Sequence, residues 1–382
     1  MSQISIVATA GAGGDLQPLV AAALALQARG HAVHLVGDRS TGRATAGLGF
    51  ETTTLPTELD LGPALVDAIR EAMAATGGDL AAAGTILQQR MTEWARAVAE
   101  PVSEVLSDDR PDVLVTSLFG VEVVHLASPS CPWAVVNSTF YVGPNAPRPM
   151  EEDFGPRAIP LIASLASQLD AADLVLHATD QTFDLSFAQL LERHHYVGPL
   201  GIWEPPSAEP AYLDEPGDPW VLVSISSQTQ DDMALAQAAA DAIDGKPIRA
   251  VLTVGPGHTA SEVAVPPNIR VEQVVSHRAV LERGAMLLSH AGHGSVMKAL
   301  WIGRPMVLVP WGRDQPGVAA RAAALGVAKV VPRVAASAES LSSAIDAVLA
   351  DEKMRATAAN HSERLQATDP PATAADLIER LL

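Results

Sequence analysis

Cysteine is nearly absent from this sequence, because Cys131 is the only one in 382 residues. A single cysteine cannot form an internal disulfide or a cysteine cluster for zinc, and its place before Pro132 suits a small buried residue better than a nucleophile. A basic leader is also lacking, since Ser2 and Gln3 run directly into a short apolar strand, and no apolar stretch is long enough to span a bilayer. We therefore expect a protein of the reducing cytoplasm, with no signal peptide and no membrane span.

Positive charge is scarce as well. Lys and Arg number 25 against 44 Asp and Glu, which gives a formal net charge of −19. Such a surface repels phosphate backbones and anionic lipid, which argues against nucleic-acid and membrane-surface binding. A site for an anionic ligand would therefore depend on local dipoles and a few hydrogen-bond donors. The chain is 48% hydrophobic and 18% charged, a globular composition, and its length indicates two domains.

Short apolar runs alternate with helical stretches in two separate halves of the chain. Runs of this kind predict buried parallel strands. The predicted strands are residues 4–8, 32–37, 113–116, 133–136 and 174–176, then 220–224, 248–254, 286–288 and 306–309. The alternation predicts an α/β fold of two Rossmann-like, doubly wound domains, with a ligand cleft between them at the carboxyl ends of the strands.

A segment rich in proline and glycine separates the two halves. Residues 201–219 have no periodicity and predict a linker between an N-terminal domain, 1–200, and a C-terminal domain, 220–382. The last helix, about 371–382, could dock elsewhere. Three clusters of titratable residues show no metal-ligand spacing, so we predict no metal site and interpret them as solvated surface groups. They are residues 108–109, 151–153 and 194–195.

A glycine-rich turn joins an apolar run to a helix in the second half, with the sequence His-Ala-Gly-His-Gly-Ser over residues 290–295. Small residues let the backbone approach a ligand, and the start of the helix offers free N–H groups and a positive dipole end, which favour an anion. His290 could add a donor to a diphosphate, and Ser295 could meet a phosphate oxygen. The alternative is a tight turn in which Ser295 caps the helix and the histidines have loop partners; the spacing alone does not decide.

A second loop of this kind, residues 309–316, again follows an apolar run and precedes a helix. Asp314 and Gln315 lie side by side on it. A carboxylate and an amide together suit bidentate hydrogen bonding of vicinal hydroxyls.

The two loops together resemble the family-1, UDP-glucuronosyl/glucosyltransferase-like superfamily, which has the GT-B architecture. Its members carry a His-Gly-Gly or His-Cys-Gly type diphosphate motif, followed about twenty residues later by an Asp-Gln or Glu-Gln pair that holds the donor sugar. The resemblance covers the C-terminal half and the first turn of the N-terminal half. It implies that Asp314 and Gln315 hold the sugar and that one set of residues holds the diphosphate. That set is His290, Gly292, His293, Gly294 and Ser295.

Other stretches match the superfamily less sharply. Residues 275–281 look like the stretch that flanks the nucleobase, which makes Val275 and His277 nucleobase-flanking candidates, although Ser-His replaces Pro-Gln. Ser227 stands where the superfamily has a turn near the diphosphate, so it is either a donor to the diphosphate or a turn cap.

Lys298 replaces a Glu that bonds the ribose hydroxyls in plant enzymes. Lysine cannot accept such bonds, which points to a dTDP-sugar, but an exposed helix lysine explains the residue equally well.

The glycine turn at residues 11–14 precedes Asp15. Such turns also occur in NAD-binding folds, but this one lacks the third glycine of that motif, and Asp38 is the only acidic residue near the end of the second strand. The run Gly-Asp-x-Gln-Pro-Leu resembles sterol and glycopeptide-antibiotic glycosyltransferases, in which Asp replaces a histidine. This resemblance makes Asp15 the candidate general base, with a plain helix N-cap as the alternative. The aspartate that supports the family's histidine is not recognisable in residues 116–120.

The resemblance implies an inverting glycosyltransferase. It would move a sugar from a dTDP- or UDP-sugar to a lipophilic small molecule, such as a natural-product aglycone, by in-line displacement and without metal or other cofactor. Apolar residues around 59–91 and 140–154 would line the acceptor site, and a homodimer is compatible with the sequence. Two rivals remain open, namely a nucleotide-sugar epimerase or hydrolase of the same fold and an NAD-dependent oxidoreductase.

Overall fold

The computed structural model describes residues 1–9, 11, 13–143, 146–185, 190–226 and 232–382. The chain divides into two compact units. The first comprises Met1–Pro205 and Asp369–Leu382, and the second comprises Pro206–Thr368. Each unit contains one parallel sheet with helices, so the prediction of two doubly wound α/β domains is confirmed.

The first unit has, within its described residues, a seven-stranded parallel sheet in the order β3-β2-β1-β4-β5-β6-β7. The strands are β1 Gln3–Ala8, β2 Ala32–Gly37, β3 Glu51–Thr54, β4 Val113–Ser117, β5 Trp133–Asn137, β6 Leu174–His177 and β7 His194–Tyr196. The helices are α1 Leu16–Ala28, α2 Arg39–Ala44, α3 Leu61–Ala75, α4 Leu80–Asp109, α5 Val121–Ala127, α6 Met150–Phe154 and α7 Ile159–Gln168. The strand order reverses between β1 and β4, which is where ligands bind in open α/β sheets.

The second unit repeats this plan with a six-stranded parallel sheet, again counted over described residues, in the order β10-β9-β8-β11-β12-β13. Its strands are β8 Trp220–Ser224, β9 Arg249–Thr253, β10 Ile269–Glu272, β11 Gly284–Ser289, β12 Met306–Leu308 and β13 Ala328–Val330. Its helices are α8 Met233–Ile243, α9 His277–Arg283, α10 His293–Ile302, α11 Gln315–Ala324, α12 Ala338–Ala350 and α13 Glu352–Gln366. The order reverses between β8 and β11.

The last helix, α14 Pro370–Glu379, packs in the first unit. Ala374, Ala375 and Ile378 are buried in the apolar core that also holds residues of α1. At the end of α1, the Arg29 guanidinium pairs with Glu379 at 2.7 Å. The helix is therefore fixed to α1, the helix that directly follows Asp15.

The solvated interpretation of three acidic or histidine clusters is wrong for one member of each. Asp109 accepts hydrogen bonds from Ser5 and His34. Asp153 is buried and pairs with Arg148 at 2.7 Å. His194 is buried in β7 and is described below. Asp153 and His194 are buried and Asp109 is half-buried, and each makes a polar contact that offsets part of the cost of its removal from water.

Candidate active site

Asp15 lies at the N-terminus of α1, after the strand at which the first sheet reverses. It is buried, with 8% of its surface exposed, and its side chain makes no capping hydrogen bond to the helix. Its Oδ1 accepts a hydrogen bond of 2.6 Å from the Ser138 hydroxyl. A hydrogen bond donated to the ionised carboxylate stabilises that form, which is the form a general base needs.

Ser138 belongs to a loop that follows β5 and is anchored by Asn137. The buried Asn137 amide nitrogen donates to the Phe140 carbonyl at 2.8 Å, and its amide oxygen accepts from the Thr139 backbone N–H at 3.2 Å. Ser138 is not among the site residues predicted from the sequence. The signal available was the polar run Asn137-Ser138-Thr139 directly after a buried strand, at the carboxyl edge of the sheet.

A buried histidine pair lies under this loop. The Asn137 amide nitrogen also meets His177 Nδ1 at 3.1 Å, and His177 Nε2 meets His194 Nδ1 at 3.1 Å. Because Asn137 donates, His177 must carry its proton on Nε2 and donate to His194. Burial lowers the pKa of His177 to about 3 and that of His194 to about 4, so both rings are neutral near pH 7.

Two further hydroxyls are buried at the same edge. Thr9 follows β1 and Ser117 ends β4, and both oxygens are buried without a hydrogen-bond partner among the described residues. Thr116, in contrast, donates to the Val7 carbonyl at 2.8 Å. Buried hydroxyls without partners are uncommon and mark places where an ordered water or a ligand can bind.

In the second unit, His290 follows β11 at the point where the sheet reverses. The ring is buried, and its Nδ1 lies 3.1 Å from the carbonyl oxygen of Ser224, the last residue of β8. A Cβ on Gly292 would lie 2.7 Å from His290 Nε2, so only glycine fits beside the ring. Ala291 has a φ of 71°, a left-handed conformation that is costly for alanine and is found most often at functional turns.

Burial has the largest effect on the pKa of both motif histidines, His290 and His293. Desolvation lowers the pKa of His290; the Ser224 carbonyl and the Asp232 carboxylate oppose this effect, and Arg313 adds to it. Desolvation, reinforced by the charge of Arg321, lowers the pKa of His293 to about 3. Both rings are therefore neutral near pH 7 in the absence of a ligand.

Gly292 is the N-cap of α10, and the helix begins at His293. Ser295 is the third helical residue, so the alternative in which Ser295 caps this helix is wrong. The first-turn N–H groups of His293, Gly294 and Ser295 precede the first intrahelical bond, which runs from Val296 N to Gly292 O. A glycine turn that leads into the first turn of a helix is a backbone arrangement that favours an anion, and the diphosphate role stays a prediction. Ser227, assigned to the same diphosphate, lies outside the described residues.

His277 and Val275 lie on the loop and first turn between β10 and α9. Val275 and His277 are half-buried, and the His277 ring lies between Thr253 and Ser295, with its Nδ1 3.5 Å from the Ser295 hydroxyl. The structure thus brings one nucleobase-flanking candidate to the start of α10. Lys298 is 5% exposed on α10, so its explanation as a solvent-facing lysine is wrong.

The second predicted loop is folded around Gln315. The Gln315 amide oxygen accepts from the backbone N–H groups of Trp311 and Gly312, at 2.8 and 2.9 Å. Asp314 stands at the N-cap of α11, half-buried, and its side chain does not cap the helix. Arg313 before it has a left-handed φ of 58°. The amide oxygen of Gln315 therefore holds the backbone of this loop, whereas the Asp314 side chain does not cap the helix.

A cavity of about 220 Å³ lies within the predicted acceptor segment 140–154. It is lined by residues of that segment alone among those described, and Phe140 and Phe154 form a tilted ring pair with centroids 5.2 Å apart. None of the described residues 59–91 lines it.

The described residues contain no group of three or more His, Cys, Asp or Glu side chains able to hold a metal. Nor do they form a helix long and apolar enough to cross a membrane.

Two family models match the two halves of the chain. The glycosyltransferase family 28 N-terminal domain matches residues 5–130, and the C-terminal domain of the erythromycin biosynthesis protein CIII-like family matches residues 234–381. Together they cover the glycine turn with Asp15 and both loops of the second unit.

One curated relative and two solved structures are similar to this chain over nearly its whole length. Demethyllactenocin mycarosyltransferase from Streptomyces fradiae is 26% identical over 97% of this chain and 85% of its own length. The kitacinnamycin glycosyltransferase structure covers 100% of this chain and 99% of its own, with a TM-score of 0.77 and 21% identity. Spinosyn rhamnosyltransferase SpnG complexed with thymidine diphosphate covers 99% of this chain and 100% of its own, with a TM-score of 0.73 and 20% identity. The chain is therefore a glycosyltransferase of the GT-B fold, and its two halves match the glycosyltransferase family 28 N-terminal domain and the erythromycin biosynthesis protein CIII-like C-terminal domain.

Proposed function

We propose that this glycosyltransferase moves a sugar, with inversion, from a nucleoside diphosphate sugar to a hydroxyl of a lipophilic natural-product aglycone, and that Asp15 is the general base. The observation that carries this proposal is the state of Asp15. It is buried beside a helix start, does not cap the helix, and accepts a hydrogen bond from Ser138. A carboxylate that served only as an N-cap would bond the backbone N–H groups of its own helix.

In the proposed reaction, Asp15 accepts the proton of the acceptor hydroxyl as that oxygen attacks the anomeric carbon. The nucleoside diphosphate leaves from the opposite face. The first-turn N–H groups of α10 stabilise the charge that develops on the leaving group, and Asp314 with the Gln315 amide holds the sugar hydroxyls. The rings of Phe140, Tyr141 and Phe154, which line the cavity of residues 140–154 together with the Arg148–Asp153 ion pair, support an acceptor that is partly lipophilic. Catalysis without metal remains a prediction, tested by assay in excess EDTA.

A dTDP-sugar is our first choice of donor. The buried Lys298 supports it, because lysine cannot accept the ribose hydroxyl bonds of a ribonucleotide. Structural neighbours have been crystallised with thymidine diphosphate, which adds support at the level of the fold.

The two rivals are weaker. Asp38, the residue an NAD-binding fold would use on the ribose, instead accepts from the Thr41 N–H and the Ser40 hydroxyl at the start of α2. No observation favours an epimerase or hydrolase.

The experiment is a thermal-shift comparison of dTDP, UDP, GDP and NAD, followed by turnover with and without aglycones. A ligand of the native state raises the melting temperature in proportion to ln(1 + [L]/Kd). We expect dTDP or UDP to stabilise the protein and sugar transfer to need an aglycone. Stabilisation by NAD alone would contradict the proposal, and donor turnover independent of any aglycone would favour the hydrolase or epimerase.

A further inference from the structure

His290 has a fixed proton on one ring nitrogen. Its Nδ1 faces the Ser224 carbonyl oxygen at 3.1 Å, and a carbonyl oxygen can only accept. Nδ1 therefore carries hydrogen in both the neutral and the charged ring. In the neutral ring, Nε2 has a lone pair and no hydrogen.

That bare nitrogen is the one directed toward the start of α10. A Cβ on Gly292, the N-cap of the helix, would come within 2.7 Å of Nε2. The neutral ring thus presents a hydrogen-bond acceptor next to the N–H groups that we assign to the diphosphate. A diphosphate oxygen is also an acceptor, so this pair would repel.

The charges around the His290 ring allow it to change from the neutral form to the imidazolium. The Asp232 carboxylate, at the start of α8, favours the imidazolium, and Arg313, on the loop before α11, disfavours it. His293, on the first turn of α10, is neutral because burial lowers its pKa to about 3. A bound diphosphate would add negative charge on the Nε2 side of the ring, which favours the imidazolium further.

We propose that His290 binds the diphosphate as an imidazolium, formed by uptake of one proton from solvent when the nucleotide binds. The proton adds to Nε2, which then donates to a phosphate oxygen; no covalent bond to the ligand forms or breaks. The inference rests on the proposed function, since it concerns the same diphosphate site. It gives His290 a full positive charge while negative charge grows on the leaving group, and the proton departs when the nucleoside diphosphate dissociates.

The affinity for the nucleoside diphosphate should then fall as pH rises. Burial lowers the pKa of the free ring below its usual value of about 6.5, so the free ring is neutral above that pH, and the bound ring is charged up to its raised pKa. Between these two values each rise of one pH unit should weaken binding by up to about tenfold, because one proton is taken up per ligand. The terminal phosphate of a free nucleoside diphosphate has a pKa near ~6, so it is already ionised at pH 8 and does not supply the proton.

The test is calorimetric titration with dTDP and with UDP at pH 8, in HEPES and in Tris, whose ionisation enthalpies differ. The difference in observed heat gives the number of protons taken up. We expect close to one proton for the wild type and for the control His125→Gln, whose histidine is exposed in the first unit. We expect none for His290→Gln, whose amide donates without titrating.

Wild-type binding without proton uptake would overturn the inference and leave the proposed function standing. Failure of both nucleotides to bind would overturn the proposed function and this inference with it. Should His290→Gln fold poorly, the affinity of the wild type from pH 7 to 8.5 decides alone. A fall of up to about tenfold per unit supports the inference, and a constant affinity contradicts it.

Discussion

Ser138 donates a hydrogen bond of 2.6 Å to Asp15, although 123 positions of sequence separate the two residues. Asp15 is the N-cap of α1 and Ser138 follows β5, so the contact exists only once the parallel sheet has formed. The superfamily's supporting aspartate has no counterpart in residues 116–120. In this chain a hydroxyl on the loop after β5 donates to the candidate base.

Ser138→Ala should shift the pH dependence of transfer. Loss of a donor to the ionised carboxylate raises the pKa of Asp15, and a hydrogen bond to a charged group contributes about 1.5–3 kcal/mol, equivalent to roughly one to two pH units. We expect the acid limb of the kcat/KM profile to move upward by about that amount. Ser138→Thr retains a hydroxyl and should restore the profile. An unchanged acid limb in the Ala variant would show that Ser138 does not act on the base.

Asp314→Asn should lower sugar transfer and leave affinity for the free nucleoside diphosphate nearly unchanged. The family resemblance assigns this side chain to sugar hydroxyls and not to phosphate, and the side chain is half-buried and does not cap α11. The measurement is kcat/KM for the donor beside the calorimetric Kd for dTDP or UDP. Loss of plain diphosphate binding would contradict the assignment.

Gln315 has two roles that two substitutions can separate. Gln315→Ala leaves the partly buried N–H groups of Trp311 and Gly312 without their acceptor, which costs at most about 1–3 kcal/mol for each group, the range for a fully buried one. Gln315→Glu keeps that acceptor and removes the amide donor. We expect a lower melting temperature for the Ala variant only, and impaired transfer for both. Full activity in the Glu variant would mean that Gln315 serves the loop alone.

The buried histidine pair predicts loss of stability in mild acid. The folded-state pKa values of His177 and His194, about 3 and about 4, lie below the unfolded value of about 6.5. The unfolded chain therefore binds more protons in this window, and the free energy of unfolding rises with pH. Below about pH 6 each ring contributes up to about 1.4 kcal/mol per pH unit.

Urea unfolding at intervals from pH 7.5 to 5.5 measures this slope, and carboxylates contribute little in that range. His194→Gln should reduce the slope by the share of one ring, whereas His125→Gln, which alters an exposed ring, should leave it unchanged. A free energy of unfolding that stays constant over the window would be inconsistent with two neutral buried rings.

Central strands could be predicted from the sequence, and edge strands could not. All nine predicted strands occupy interior positions of the two sheets, where burial on both faces gives continuous apolar runs. The strands that were missed are β3, β7, β10 and β13, the edges of the sheets. Edge strands are short and partly solvated, and the largely exposed Glu-Thr-Thr-Thr of β3 has no apolar period to detect.

The candidate site likewise has features that a local sequence pattern indicates and features that it does not. Both loops of the second unit and the Asp15 turn are local in sequence, so glycine spacing and neighbouring polar residues could indicate them. The contacts of Asp15 with Ser138 and of His290 with Ser224 join residues 123 and 66 positions apart. Such pairs depend on strand order, as does the fixed proton on His290, and no local pattern contains them.

The turnover of Asp15→Asn decides whether Asp15 is the general base. Asparagine keeps the shape and an oxygen that accepts from Ser138, but it cannot take a proton. Asp79→Asn is the matched control, because Asp79 also stands at a helix start and its side chain does cap α4. We predict near-normal melting temperature and nucleotide affinity for both variants, wild-type transfer for the control, and a fall of about 10²–10⁴-fold for Asp15→Asn. Transfer by Asp15→Asn at close to the wild-type rate would contradict the central claim that Asp15 is the base.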